Sequence, residues 1–166
     1  NLNVLGEAKS VVHVVDVNNT PYANVLCVGA SATATGCWAA ELNRLMPTLN
    51  FVGAKRGTDE DVRLEATGGW SWSNFISTDA PFANANFKSY ADKYCGGSID
   101  LLITHIGVNN SLWELSNEES AISNARTFIK GYFRDFPNGK MIISAIPMPD
   151  DGTNVYANTN TENNIK

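Results

Sequence analysis

The sequence has no long apolar run and little charge of either sign. No apolar stretch approaches the roughly 18 consecutive residues that a membrane-spanning helix needs, so no membrane span is predicted. Charged residues make up 17% of the 166 residues, and the formal net charge is −5. Because nucleic-acid-binding surfaces are basic, this balance argues against DNA or RNA as a partner. The hydrophobic share of 43% predicts a globular domain.

Cysteine is also scarce, and its spacing matches no metal site. The three cysteines are Cys27, Cys37 and Cys95, without a CxxC pair. Cys27 lies in a strand-like run and Cys37 in a helix-like run, so both are predicted to be buried free thiols. One disulfide remains an alternative if the protein is secreted. The phosphate-binding patterns GxxxxGK[ST] and GxGxxG are absent, and no cofactor or metal is predicted.

The N-terminal residues do not resemble the natural N-terminus of a protein. Residues 1–10 contain neither an initiator Met nor the basic head and apolar stretch of a signal peptide. We therefore expect the chain to be a mature or excised part of a longer protein, with possible further domains in the same parent chain. Residues 1–21 are interpreted as a linker or an edge strand from a preceding module, and residues 22–166 as one domain.

Short apolar runs alternate with helical patterns along the chain. This alternation predicts an α/β fold built on a three-layer, open, parallel sheet. NVLCVG is continuously apolar, as expected for a strand buried on both faces. The strands are predicted at 11–17, 24–29, 49–52, 99–107 and 140–146, the helices at 32–46, 70–77 and 116–133, and loops at 53–67, 78–86 and 152–166.

Ligands of open α/β sheets bind beyond the carboxyl ends of the strands. That rule selects the loops after Gly29, Val52 and Gly107. In the first loop, Ser31 stands where a strand turns into a helix, a position that suits a nucleophile because helix N-termini favour developing negative charge. The alternative is that Ser31 only caps the helix.

The second and third loops carry weaker signals. Gly68 and Gly69 precede Trp70 and imply a positive φ or a close approach of another group; the alternative is an ordinary tight turn. In the third loop, Asn109 can donate its amide N–H into the cleft, although Gly and Asn are also common turn residues. The tryptophans near these loops, Trp70, Trp72 and Trp113, are expected either to stack on a ligand or to pack in the core.

Together the three loops resemble a known set of motifs. A Gly-x-Ser, a Gly-Gly-Trp-Ser and a Gly-x-Asn-Asn in this order resemble the first three sequence blocks of the SGNH/GDSL hydrolases. The stretch NFVGAKRG…EATGGWSW is similar to bacterial members that read FIGTR…EGRGGWSW. The resemblance covers about residues 22–150. It implies a flavodoxin-like SGNH hydrolase fold, with Ser31 as nucleophile and the Gly69 N–H and the Asn109 amide as oxyanion donors.

The resemblance further implies an ester hydrolase that removes acetyl or short acyl groups from carbohydrate. The expected partner is a small-molecule or glycan ester, and the expected location is secreted, periplasmic or cell-surface. Two alternatives stay open. One is a degenerate module that binds glycan or builds part of a surface or virion assembly, and the other is a flavodoxin-like binder of small molecules.

The chain departs from the family pattern at three places. Ala30 and Asn110 stand where the family usually has Asp. The family's general base lies in an Asp-x-x-His motif after a fifth strand, and neither His13 nor His105 belongs to such a motif. We therefore expect the sheet to be incomplete at the C-terminus, with the missing motif beyond Lys166.

Overall fold

The computed structural model of the chain describes residues 24–113 and 118–144. Within these ranges it contains the strands β1 Asn24–Gly29, β2 Asn50–Val52, β3 Lys55–Arg56, β4 Arg63–Ala66, β5 Leu101–His105 and β6 Lys140–Ile143, and the helices α1 Ser31–Ala34, α2 Cys37–Leu45, α3 Trp72–Ile76, α4 Phe87–Tyr94, α5 Val108–Trp113 and α6 Glu118–Asp135. The strand predicted at 11–17, the tail from residue 152, His13 and the start of the helix predicted from Ser116 lie outside the described residues.

Strand β1 is the centre of an open, mostly parallel sheet. It pairs in parallel with β5 on one side, and β5 pairs in parallel with β6. On its other side β1 has two successive partners, because β2 pairs with Asn24–Leu26 and β4 with Val28 and Gly29. Strand β3 joins the edge antiparallel to β4. The predicted three-layer, open, parallel α/β class is confirmed.

The region 53–67, predicted as a loop, holds the strands β3 and β4, so that prediction was wrong. Its charged composition hides a buried strand, since Leu64, Glu65 and Ala66 are all buried. A strand usually reveals itself by apolar residues, and here the buried residue at the centre of β4 is a carboxylate. The Gly-Gly-Trp loop consequently follows β4, not β2.

Both faces of the sheet are covered. The side chains of β1 alternate between two clusters, with Leu26 and Val28 in one and Val25 and Cys27 in the other, each fully buried. The first cluster lies against α3, α4 and α6 and is rich in aromatic rings; Phe82 and Phe87 stack with centroids 4.3 Å apart, and Phe128 meets both edge-on. These packed rings fix α6 against the sheet and the segment before α4.

The second face is covered by α2. The predicted helix over 32–46 is two helices, because Gly36 adopts a left-handed φ of 84° between them. Trp38 and Leu42 pack on the sheet as their spacing predicts, whereas Leu45 is 57% exposed. Helices α4 and α5 are not among the predicted elements. Helix α4 follows an irregular polar segment and is capped by the Asn86 side chain, which accepts a hydrogen bond from Ser89 N, whereas α5 follows β5 after only two residues.

Two of the three cysteines are buried. All three are free thiols, and Cys27 and Cys95 lie in the core, so the prediction for Cys27 is confirmed. Cys37 is exposed at the start of α2, and its predicted burial was wrong, since it lies on the solvent side of the helix. Burial raises the pKa of the Cys27 and Cys95 thiols to about 12.

This burial predicts selective alkylation of the thiols. Because the thiolate is the reactive species, iodoacetamide on the folded protein should modify Cys37 and leave Cys27 and Cys95 unmodified. All three should react after unfolding in urea. Peptide mass spectrometry measures the modified fraction at each position. Native labelling of Cys95 as fast as that of Cys37 would contradict the packing described here.

The aromatic cluster predicts a large loss of stability on truncation. Phe128→Ala should lower the free energy of unfolding by about 3–5 kcal/mol, because a fully buried ring is replaced by a cavity. Urea unfolding followed by circular dichroism measures the change. Ile122→Ala, also on α6 but 42% exposed, is the matched control and should change the free energy of unfolding by less than about 1 kcal/mol.

Candidate active site

The three predicted loops leave the sheet at the same level. In the sheet register Gly29 at the end of β1 lies opposite Ala66 at the end of β4 and opposite His105 at the end of β5. Ser31, Gly69 and Asn109 follow these positions within a few residues. The loops are also bonded to one another, since Thr67 N donates to the Gly29 carbonyl at 3.1 Å. The structure therefore brings the three predicted site residues to one edge of the sheet.

Ser31 is the first residue of α1, not its cap. The N-cap is Ala30, whose carbonyl accepts hydrogen bonds from the backbone N–H of Thr33 and Ala34. The Ser31 side chain is exposed. The capping alternative weighed for Ser31 is thus not the observed arrangement. Its side chain stands at the rim, at the N-terminus of α1.

Gly29 is required by crowding at this turn. A Cβ atom there would overlap the Thr33 side chain and lie 2.9 Å from the His105 carbonyl oxygen. Any other residue would push α1 away from β5. The Thr33 hydroxyl is fully buried and has no hydrogen-bond partner in the described part of the chain.

The second loop passes beside Ser31 at Gly68. A Cβ atom on Gly68 would lie 3.8 Å from the Ser31 Cβ atom, which places this loop beside the serine. Gly69 has a left-handed φ of 79°, and a Cβ atom on it would meet nothing within 4 Å. A positive φ, not the close approach of another group, therefore explains the glycine at position 69. The turn closes with Trp70 N donating to Thr67 O at 3.3 Å.

The third loop clamps the second through two adjacent amides. Asn109 is 8% exposed, and its Nδ2 donates to the Trp70 carbonyl at 2.8 Å. Asn110 Oδ1 accepts a hydrogen bond from Trp72 N at 3.2 Å, at the start of α3. The Asn109 amide carries a second N–H, so this bond to Trp70 orients the side chain and leaves one donor for another acceptor. Asn110, which replaces the usual Asp, keeps an acceptor oxygen for the α3 N-terminus.

The tryptophans of the second loop have different surroundings. Trp72 is 8% exposed and packs edge-on against Phe128, with ring centroids 5.2 Å apart. It is a core residue. Trp70 is half-buried at the rim and rests edge-on against Phe75 at 4.9 Å. The side chain of Trp113 lies outside the described residues.

A buried carboxylate supports the second loop, and the sequence patterns did not identify it. Glu65 on β4 is 1% exposed; its Oε1 lies 2.9 Å from Lys55 Nζ, and its Oε2 accepts a hydrogen bond from Tyr90 OH at 2.8 Å. Tyr90 OH in turn accepts from Ala54 N at 2.9 Å. Burial, followed by the charge of Glu65, raises the pKa of Tyr90 well above its usual range. The one signal in the sequence is a Glu within an otherwise apolar LEA run, which is separated from the glycines by Thr67.

Lys55 joins this network to the loop. Its Nζ donates to the Ala66 carbonyl at 3.3 Å and to the Thr67 hydroxyl, and it lies 5.0 Å from the centre of the Trp70 ring. Lys55 is 41% exposed at its side chain, whereas its partner Glu65 is buried. The ion pair therefore neutralises the carboxylate and holds Ala66, Thr67 and Trp70 around the two glycines.

His105 is half-buried at the end of β5. Across 24–113 and 118–144 no three His, Cys, Asp or Glu side chains lie close enough together to hold a metal ion. In the same ranges no helix is both long enough and apolar enough to cross a bilayer.

The Glu65 network predicts a stability loss when one hydroxyl is removed. Tyr90→Phe leaves Glu65 Oε2 and the Ala54 N–H without their buried partner, and should lower the free energy of unfolding by about 1–3 kcal/mol. Urea unfolding measures it. Tyr94→Phe on the same helix is the control, because Tyr94 is 39% exposed. Equal effects of the two substitutions would show that the network contributes nothing.

Three solved structures share the chain's architecture. An acetyl esterase, crystallised as a serine-to-alanine mutant with an acetate ion, aligns with a TM-score of 0.57 and 16% identity over 85% of this chain and 68% of its own. A family 3 carbohydrate esterase from Talaromyces cellulolyticus gives 0.52 and 17% over 73% of this chain and 60% of its own. The family 3 carbohydrate esterase of Clostridium thermocellum gives 0.54 and 22% over 74% and 61%.

At this level of identity the likeness concerns the fold. No protein-family profile matches the chain, and no curated protein sequence matches it. The chain spans less than two thirds of the length of the two family 3 enzymes. The resemblance to the SGNH-type hydrolases expected from the three loops is confirmed for the fold: the chain has the mostly parallel, open α/β architecture of these esterases.

Proposed function

We propose that the chain carries the nucleophile and the oxyanion-binding groups of an esterase that removes acetyl or short acyl groups from carbohydrate. The observation that carries the proposal is the common register of Gly29, Ala66 and His105, which brings the three loops together at one sheet edge. Support for the substrate class comes from the fold neighbours, two of which are carbohydrate esterases.

In the proposed reaction Ser31 Oγ attacks the ester carbonyl carbon. The carbonyl π electrons move to oxygen, and the resulting oxyanion accepts hydrogen bonds from Ser31 N–H, Gly69 N–H and the second Asn109 amide N–H. Collapse of the tetrahedral intermediate breaks the bond to the sugar oxygen, which leaves with a proton, and an acetyl-serine remains. Water then attacks the acetyl group, and acetate departs as Ser31 is regenerated.

The geometry supports this assignment of donors. Gly69 is exposed, and its left-handed backbone conformation is unfavourable for residues that have a side chain. It directly follows Gly68, the glycine that lies beside Ser31. The Asn109 amide is held by its bond to Trp70 O, so its remaining N–H is pre-oriented. Donors that are fixed before the reaction stabilise developing charge without reorganisation.

The reaction requires a base that takes the Ser31 proton. The resemblance assigns this role to a histidine of an Asp-x-x-His motif, and we propose that this histidine lies outside the described residues. His105 is the alternative within them, at the level of Gly29 on the neighbouring strand. Replacing His105 by Asn in the full-length protein separates the two: turnover within about tenfold of the wild-type rate excludes His105 as the base.

The nucleophile assignment predicts a near-complete loss of turnover on one substitution. In the full-length natural protein Ser31→Ala should lower kcat for p-nitrophenyl acetate by about 10⁴-fold or more, because no acyl-enzyme can form. A fluorophosphonate should label Ser31 covalently, as measured by peptide mass spectrometry. Ser123→Ala, an exposed serine on α6, is the matched control and should retain full activity.

A second candidate is a non-catalytic glycan-binding module. It is favoured by Ala30 and Asn110, which stand where the resembling family usually has Asp. Absence of turnover in the intact parent protein on both p-nitrophenyl acetate and acetylated oligosaccharides, with no fluorophosphonate labelling, would overturn the esterase proposal and leave this module as the interpretation.

A further inference from the structure

A groove of about 520 Å³ opens beside the second loop. Trp70 of the second loop and Lys93 and Tyr94 of α4 line it. Its lining also includes Ala54, Lys55, Glu65, Asp79, Ala80, Pro81, Ala83, Ser89 and Tyr90. The volume falls within the range of sites that enclose a ligand of several rings.

The groove combines exposed aromatic rings with charged groups. Trp70 is half-buried and held edge-on by Phe75, so its ring is fixed. Tyr94 is 39% exposed, with Lys93 Nζ 4.9 Å from its ring centre. Asp79 and Lys93 are exposed and supply an acceptor and donors. Aromatic faces beside hydroxyl-binding groups suit a ligand that has apolar C–H faces and many hydroxyls, which is the chemistry of a sugar.

The buried polar side chains that form the floor of the groove are already paired with one another. Glu65 and Tyr90 are buried, hydrogen-bonded to each other, and neutralised by Lys55. A ligand that enters the groove therefore meets no unpaired buried charge and orders no buried side chain on this floor. Binding to a preformed surface avoids much of the entropic cost of ordering it.

The groove adjoins the proposed catalytic residues. Trp70 directly follows Gly69, and its carbonyl accepts the hydrogen bond from Asn109 Nδ2. Trp70 thus belongs both to the lining of the groove and to the loop that carries Gly69, and it connects the groove with the proposed oxyanion donors. Lys93 and Tyr94 also line a second hollow of about 430 Å³, which reaches Asn24 and Asn50 at the amino ends of β1 and β2.

We infer that the groove from Trp70 to Tyr94 is the binding site for the saccharide part of the substrate, and that it takes an oligosaccharide chain, not a single sugar. The chain would run from the carboxyl edge of the sheet towards its amino edge. The role of this groove in catalysis rests on the proposed function, whereas the binding of a saccharide to it does not.

The first test compares a small ester with an oligosaccharide ester. In the full-length protein the double variant Lys93→Ala, Tyr94→Ala should lower the ratio of kcat/KM for acetylated xylo-oligosaccharides to kcat/KM for p-nitrophenyl acetate by at least fivefold, mainly through KM. The matched control is Lys130→Ala, Phe133→Ala on α6, with an equally exposed aromatic residue, and it should keep the ratio. An unchanged ratio in the Lys93 and Tyr94 variant overturns the inference.

The second test measures binding without catalysis. Tryptophan fluorescence of the Ser31→Ala protein is titrated with xylohexaose, chitohexaose and tetragalacturonate. At least one should give a saturable change that the Lys93 and Tyr94 substitutions weaken at least fivefold and the control pair does not. No saturable change with any of the three overturns the inference. Saccharide binding in a protein that hydrolyses no ester overturns the esterase proposal and leaves the groove assignment intact.

Discussion

The parallel pairing of β1 with β4 and β5 is the constraint on which the site depends. Its register sets Gly29, Ala66 and His105 side by side, so that three loops from distant parts of the chain begin at one level. A slip of one residue in either pairing would turn the buried side chains of β1 to the wrong face and would separate the loops. The hydrogen bonds from Thr67 to Gly29 and from Asn109 to Trp70 then hold the loops in place.

A buried charge completes this arrangement at the sheet edge. Glu65 would be costly alone, but Lys55 forms an ion pair with Oε1 and Tyr90 donates a hydrogen bond to Oε2. The same lysine bonds to Ala66 and Thr67 before the glycine pair and lies over the Trp70 ring after it. The loop is therefore anchored on both sides of Gly69. Anchored ends hold the Gly69 N–H in place, as a backbone hydrogen-bond donor of a site requires.

The sequence predicted the parts that depend on local pattern. The apolar run of β1 and the glycines that end it indicated a parallel sheet, and the strand-end rule then selected Ser31, Gly69 and Asn109. Their catalytic roles remain predictions, although the structure places the three loops together. The pattern did not predict β4, because its central buried residue is charged, nor α4, whose start is set by the Asn86 side chain. The burial of a charge depends on partners distant in the sequence, and capping by a side chain depends on local geometry. Neither produces a periodic pattern in the sequence.

The long-range bonds around β1 also determine when the site comes into existence. Asn24 at the start of β1 bonds to Asp100, 76 residues later, and the two amides of the third loop reach back 38 and 39 residues to the second. Contacts of this separation form late, because the chain must close long loops before they contribute. During synthesis neither Ser31 nor the glycine pair has its surroundings until β5 and Asn110 have emerged. The site therefore forms only when the sheet is complete, and it is absent from a folding intermediate that lacks β5.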